Sequence, residues 1–149
     1  RATTAFKRDG DAILLVGENT DELGASEYLA WVHGLTVGHP PKLDLDRAKA
    51  LIDGISSLIQ AGLCSTAHDL SDGGLAVALS EMVLAEGRGA KVVLDDAVRP
   101  DALLFGEAAS RVLLAMPQEQ VASATAHLGR YDLPVQAIGE VGGGRLELS

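Results

Sequence analysis

Two short polar stretches contain most of the residue types that could do chemistry. The first is His68-Asp69-Leu70-Ser71-Asp72-Gly73-Gly74, which leads directly into an apolar segment. The second is Gly106-Glu107-Ala108-Ala109-Ser110-Arg111, which precedes another apolar run. Carboxylates, hydroxyls and glycines at the edge of apolar segments are typical of ligand sites and of contacts between domains. The candidate residues are His68, Asp69, Ser71, Asp72, Gly73, Gly74, Glu107, Ser110 and Arg111.

The first stretch has the pattern of a helix N-terminus. With Ser71 or Asp72 as the N-cap, apolar residues recur every three or four positions, which predicts a helix from Gly73 to Glu86. A helix N-terminus presents unpaired backbone N–H groups and attracts anions. Asp69 and Asp72 would repel a bare phosphate, so an anionic ligand would need a divalent cation or a basic bridge. This favours a metal-bound nucleotide, with the two aspartates as candidate metal ligands.

A purely structural interpretation of both stretches stays open, and from spacing alone it is the favoured one. In the first stretch, a serine or aspartate caps the helix and the two glycines permit a tight junction between strand and helix. In the second, Glu107 and Arg111 pair at the surface, an interaction worth less than about 1 kcal/mol. The functional alternative for the second stretch is an acid and a base that face a ligand at a strand edge.

Length and charge limit the classes of function. The 149 residues suffice for one domain with its own core. The net charge is −9, and the 12 Lys and Arg residues are scattered singly, which disfavours binding to nucleic acid or to an anionic membrane. No apolar run has the length of a membrane span, and the single Cys64 indicates a reducing compartment. We expect a soluble, cytoplasmic protein, and a first residue other than Met indicates a fragment of a longer, multidomain chain.

The hydrophobic pattern predicts a mixed sheet with helices packed against it. A continuous apolar run from Asp11 to Gly17 is typical of a strand buried on both faces. The clearest helix begins at Asp44 and ends near Gly62, because its apolar residues follow one stripe. This helical stripe consists of Leu45, Ala48, Leu51, Ile52, Ile55, Leu58 and Ile59. Near the end of the chain, two strands joined by three glycines, 142–144, predict a terminal hairpin.

Three motifs in order resemble the C-terminal domain of the aminoimidazole ribonucleotide (AIR) synthetase superfamily. They are Glu22-Leu23-Gly24-Ala25-Ser26-Glu27-Tyr28-Leu29, the stretch from His68 to Leu79, and Leu104-Phe105-Gly106-Glu107-Ala108-Ala109-Ser110-Arg111. Within the superfamily they are most similar to the second such domain of the phosphoribosylformylglycinamidine (FGAM) synthases, in their synthetase subunit II. The resemblance runs from near Asp11 to the end of the chain.

The resemblance implies a three-layer α/β/α domain of the α+β class and a role in an ATP-dependent ligase of purine biosynthesis. Enzymes of this family use Mg-ATP to activate the amide oxygen of formylglycinamide ribonucleotide (FGAR), and ammonia then displaces phosphate. A glutaminase subunit supplies the ammonia, and a small accessory subunit completes the complex. The catalytic groups lie in N-terminal domains, so the resemblance implies no catalytic residue here and no turnover from this chain alone.

One motif departs from the family pattern. The first-half domain presents Glu-Ser-Gln to the ribonucleotide, whereas the matching residues here are Glu107-Ala108-Ala109, which lack the hydroxyl and the amide. The candidate residues could instead face a second, structural nucleotide or only the neighbouring domain. Two alternatives therefore stay open, a catalytically silent scaffold module and the corresponding domain of a paralogue such as AIR synthetase.

Overall fold

The computed structural model describes all residues, Arg1–Ser149, and contains six strands and five α-helices. A short 3-10 helix, Gln118–Gln120, precedes the last α-helix. No helix is long and apolar enough to cross a membrane. In chain order the elements are β1 (Ala12–Val16), α1 (Glu27–His33), α2 (Leu45–Gln60), β2 (Thr66–Asp69), α3 (Gly74–Glu86), β3 (Ala90–Val92), α4 (Pro100–Phe105), β4 (Val112–Met116), α5 (Val121–Gly129), β5 (Val135–Val141) and β6 (Leu146–Leu148).

The six strands form one mixed sheet in the order β2-β4-β1-β5-β3-β6. Every neighbouring pair is antiparallel except β3 and β6, which are parallel. All five residues of β1 are buried, because the strand lies inside the sheet with both faces covered. The prediction of a strand buried on both faces is therefore confirmed.

Helices cover both faces of the sheet and divide the core into two clusters. Successive side chains of a strand point to opposite faces, so Ile13 and Leu15 enter one cluster and Leu14 and Val16 the other. The first cluster contains the buried apolar residues of α3, and the second contains those of α2 and α5. This is the three-layer α/β/α arrangement of the α+β class that the resemblance implies.

The predicted terminal hairpin is wrong. β5 and β6 do not pair, because β3 lies between them and pairs with both. The three glycines instead carry the chain past the start of β3, where Gly89 accepts a hydrogen bond from the Gly142 N–H and donates one to the Gly143 carbonyl. A side chain on Gly89 would lie 2.4 Å from the Arg145 carbonyl oxygen, so glycine is needed for this close approach.

Candidate functional site

The junction between β2 and α3 is made by two glycines. The N-cap of α3 is Gly73, and no side chain caps the helix, so the prediction of Ser71 or Asp72 as the N-cap is wrong. Gly73 and Gly74 have left-handed φ angles of 79° and 67°. These conformations turn the chain between β2 and α3 and leave Ser71 and Asp72 exposed.

A carboxylate from the second polar stretch replaces the missing cap. Oε1 of Glu107 accepts hydrogen bonds from the backbone N–H of Gly73 at 2.8 Å and of Glu27 at 2.9 Å. Glu27 is the first residue of α1, so one oxygen closes the N-termini of two helices. A negative charge at these positions also complements both helix dipoles.

Gly74 allows this loop to approach so closely. A Cβ atom at Gly74 would lie 2.5 Å from the carbonyl oxygen of Gly106, which is closer than real Cβ atoms come. The backbone before Glu107 therefore rests directly on the first turn of α3. The two glycines permit a tight junction, as the structural interpretation of this motif predicts.

Arg111 lies in the interior and does not pair with Glu107, so the predicted surface pair is wrong. Only 2% of its surface is exposed, and no carboxylate forms a salt bridge with it. Its guanidinium donates to the carbonyl oxygens of Gly106 (2.5 Å) and Ala108 (3.3 Å) and to Oδ1 of Asn19 (3.1 Å). Burial lowers the pKa of Arg111 to about 10, so it stays charged at neutral pH.

These contacts link the second polar stretch to the loop after β1. Nδ2 of Asn19 donates to Asp96 at 2.9 Å, and this hydrogen bond lowers the pKa of the Asp96 carboxyl. The chain of contacts from Arg111 through Asn19 to Asp96 therefore joins three loops. Arg111 therefore holds the backbone of the loop that carries Glu107 and helps to fix the position of the Glu107 side chain.

His68 connects β2 to α3. Its Nδ1 donates to the carbonyl oxygen of Asp69 at 2.6 Å, and its Nε2 lies 3.0 Å from Oε2 of Glu81 in α3. The Asp69 side chain points to solvent and is 76% exposed. Sequence reasoning did not identify Glu81, although an acid within an apolar helix is a signal for such a partner.

An acidic cleft of about 930 Å³ lies beside the second polar stretch. The loop after β1, the start of α2 and the segments before β4 and β5 form its walls, and Ser110 is among its lining residues. Two basic residues line it, Lys42 and Arg47, and Arg47 already pairs with Glu18 and Asp44. The surplus of carboxylates disfavours an anionic ligand. Its acidic residues are Glu18, Asp21, Glu22, Asp44, Asp46 and Asp132.

Asp69 and Asp72 do not form a complete magnesium site on their own. Mg²⁺ takes six oxygen ligands in octahedral geometry, usually one or two of them carboxylates. No group of three or more His, Cys, Asp or Glu residues is arranged to hold a metal ion. Asp69 and Asp72 are both exposed, so a magnesium role for them would need ligands from outside the chain.

A family model described as "AIR synthase related protein, C-terminal domain" matches residues 8–149. The match covers both polar stretches and every strand and helix of the structure. The chain belongs to this family. As a member of the AIR synthase related C-terminal domains, it has the mixed sheet covered by helices on both faces that is described above.

Among curated relatives, the PurL subunit of phosphoribosylformylglycinamidine synthase from Deinococcus radiodurans is 49% identical over 147 residues. The alignment covers 94% of this AIR synthase related domain and 19% of the relative. The chain thus spans about one-fifth of the length of that relative.

Two solved structures have the same fold. The Thermotoga maritima PurLQS structure matches with a TM-score of 0.76 at 20% identity, over 99% of this domain and 25% of that chain. T. maritima PurL complexed with ATP matches with a TM-score of 0.72 at 22% identity, over 95% of this domain and 23% of that chain.

The AIR synthase related fold brings the candidate residues together only in part. Gly73, Gly74 and Glu107 meet at the start of α3, and Arg111 supports the loop behind them. His68 contacts Glu81 instead, and of the other candidates Asp69 and Ser110 line a groove of about 400 Å³ together with Arg111. Those other candidates are Asp69, Ser71, Asp72 and Ser110, of which the first three are exposed.

Proposed function

We propose that this chain is one domain of a phosphoribosylformylglycinamidine synthase, the ligase that makes FGAM from FGAR, ammonia and ATP in purine biosynthesis. The observation that carries the proposal is 49% identity with the D. radiodurans PurL subunit over 94% of the chain. In this reaction ATP phosphorylates the amide oxygen of FGAR, ammonia attacks the activated carbon, and phosphate leaves. The products are the amidine, ADP and phosphate.

The proposal includes the partners and the setting of the enzyme. Residues 1–149 form one domain of a longer multidomain chain, which the one-fifth coverage of the PurL relative supports. A glutaminase subunit and a small accessory subunit join it, and the similarity to the PurLQS structure supports this assembly. Mg-ATP is the nucleotide, because ATP carries magnesium in cells, and the enzyme works in the cytoplasm, where ATP is available.

Within that enzyme, we infer that this domain supports the active site and does not react. Oε1 of Glu107 already accepts the Gly73 N–H at the start of α3, and its negative charge there disfavours a phosphate. The exposed Asp69, Ser71 and Asp72 then contact a neighbouring domain. The alternative is that these residues bind a structural nucleotide whose magnesium takes its other ligands from elsewhere in the enzyme.

Two aspartate substitutions separate these roles. In the full-length polypeptide, Asp69→Ala with Asp72→Ala should leave the KM for ATP unchanged and lower the thermal stability, because interdomain contacts are lost. Exposed Glu119→Gln serves as the matched charge-removing control. A rise in the KM for ATP or a loss of bound nucleotide in the double variant would instead support the nucleotide role.

An assay of the full-length polypeptide tests the function itself. With FGAR, Mg-ATP and ammonium ions, ADP should form only when FGAR is present, and glutamine should replace ammonium once the glutaminase subunit is added. FGAM is the control substrate, since AIR synthetase consumes it. ADP release with FGAM and none with FGAR would identify the paralogue and reject the proposal.

A further inference from the structure

A serine and a histidine meet where α2 packs against α5, away from the start of α3. Oγ of Ser57 lies 2.9 Å from Nε2 of His127. At about 2.6–3.2 Å a histidine is close enough to take the proton of a nucleophile. Both residues are half-buried, and their neighbours Ser56 and Ala126 are exposed. The pair therefore lies at the rim of the interface between the two helices, where small molecules arrive from solvent.

The hydroxyl hydrogen of Ser57 is free to point at the imidazole. A serine within a helix often donates to the carbonyl oxygen four residues earlier, as Ser80 in α3 does to Ala76 at 2.7 Å. The Ser57 hydroxyl has His127 as its partner instead. A neutral imidazole with its proton on Nδ1 accepts a hydrogen bond at Nε2. This is the arrangement of a nucleophile and its general base.

The packing around the pair restricts both side chains. Gly54 lies one turn before Ser57, and a Cβ atom there would lie 2.8 Å from Cδ1 of Leu133, so glycine lets the chain after α5 approach α2. The ring of Tyr131 lies in the same place, with its centroid 6.1 Å from that of His127. A nucleophile and base that are already positioned need little rearrangement before they react.

We propose that Ser57 is an acylation site, with His127 as its general base, for small acyl donors that carry a good leaving group. Oγ of Ser57 attacks the carbonyl carbon of the donor, and the hydroxyl proton passes to Nε2 of His127. The bond between that carbon and the leaving group breaks, and the leaving group departs as an anion with the bonding electron pair. His127 then gives its proton to water, and an ester remains at Ser57.

The surroundings of the pair select both the serine and the donor. No other serine hydroxyl of the chain bonds to an imidazole; Ser26, Ser80 and Ser149 donate to backbone carbonyl oxygens. Because Ser57 is half-buried between two helices, a short acyl group fits and a bulky one does not. The ester oxygen has no hydrogen, so acylation also removes the side-chain hydrogen bond between α2 and α5.

Reaction of the full-length polypeptide with 4-nitrophenyl acetate tests the inference. The leaving group of this ester is 4-nitrophenolate, and acid stops the reaction after a short exposure. Tandem mass spectrometry of the peptides then reports acetylation of Ser57 and of Ser56 separately. Ser56 is the matched control, because it precedes Ser57 on the same helix and is exposed but has no imidazole partner.

We expect Ser57 to be acetylated at least about tenfold faster than the more exposed Ser56 in the native enzyme, because general base catalysis accelerates the attack. Equal rates, or faster acetylation of Ser56, would overturn the inference. In urea the two serines should react equally fast. A preference for Ser57 that persists in urea would also overturn the inference, because it would not depend on the fold.

The variant His127→Gln tests the role of the imidazole. Its amide oxygen can accept a hydrogen bond but cannot take a proton. The rate at Ser57 should fall at least about tenfold and the rate at Ser56 should stay the same. An unchanged rate at Ser57 would overturn the inference. Circular dichroism checks that the variant is folded, and the comparison of Ser57 with Ser56 in the unsubstituted enzyme needs no variant.

Failure of the inference can be distinguished from failure of the proposed function, because neither residue lies at the start of α3. FGAR-dependent ADP release reports the function. Equal acetylation of the two serines in an enzyme that is active towards FGAR would reject only the acylation site. Faster acetylation of Ser57 in an enzyme without that activity would reject only the enzyme assignment.

Discussion

Removing the Glu107 carboxylate should remove hydrogen bonds at the N-termini of α1 and α3 at once. Its Oε1 accepts hydrogen bonds at 2.8 Å from Gly73 and at 2.9 Å from Glu27. Bonds to a charged acceptor contribute about 1.5–3 kcal/mol each. Glu107 is only partly buried, so the lower end applies, and Glu107→Ala should lower the free energy of unfolding by about 3 kcal/mol.

Glu107→Gln retains an acceptor oxygen but removes the charge. The two bonds then fall to the neutral range of about 0.5–1.5 kcal/mol each, so we expect a loss of about 1 kcal/mol. Urea denaturation followed by far-UV circular dichroism measures both variants. Glu119→Gln is the control and should stay within about 0.5 kcal/mol of the original chain, because its side chain is exposed.

Amide hydrogen exchange gives the residue-specific test. The N–H groups of Glu27 and Gly73 should exchange faster in Glu107→Ala, and less so in Glu107→Gln. A free energy of unfolding within about 0.5 kcal/mol of the original chain, together with unchanged exchange at both amides in Glu107→Ala, would contradict this role of Glu107.

Three further substitutions test the surroundings of this cluster. Arg111→Lys keeps a buried charge, but the lysine ammonium cannot reach all three acceptors of the guanidinium. The loss of two hydrogen bonds should lower the free energy of unfolding by about 3 kcal/mol in thermal denaturation, and an unchanged Tm would contradict this. Gly74→Ala should cost more than Gly143→Ala in urea, because both have a positive φ but only Gly74 would meet another backbone; equal costs would show that the close approach does not matter. Burial raises the pKa of Asp11 above 3.8, so the native state holds the Asp11 proton more tightly than the unfolded state, and stability falls as pH rises from 3.8 through the native pKa. Asp11→Asn should therefore flatten the dependence of stability on pH in urea titrations between pH 3.5 and 6. An identical slope in the variant would show that Asp11 does not cause this pH dependence.

The fold could largely be predicted because its main signals are local. The apolar run of β1 and the stripe of α2 each follow the periodicity of one element. The stripe also misled in part, since Leu45 and Ile52 belong to it and are exposed. Periodicity shows which apolar residues share one face of a helix, whereas the burial of each residue depends on what packs against that face.

The arrangement of the site could not be predicted because it depends on contacts between distant residues. Glu107 is 34 residues from Gly73 and 80 from Glu27 along the chain. Spacing suggested Arg111 as its partner, since the two are close in sequence, but the guanidinium turns inward to backbone carbonyls. The pairing of β3 with both β5 and β6 is also non-local. The short glycine link between β5 and β6 suggests instead that these two strands pair with each other.

We propose that the parent of this domain phosphorylates the amide oxygen of FGAR. The most direct test supplies FGAR labelled with ¹⁸O at that oxygen, together with ATP and ammonium ions, to the full-length polypeptide and analyses the phosphate by mass spectrometry. We expect one ¹⁸O atom in each phosphate released, with one amidine formed for each phosphate. Unlabelled phosphate, or phosphate release that does not depend on FGAR, would contradict it.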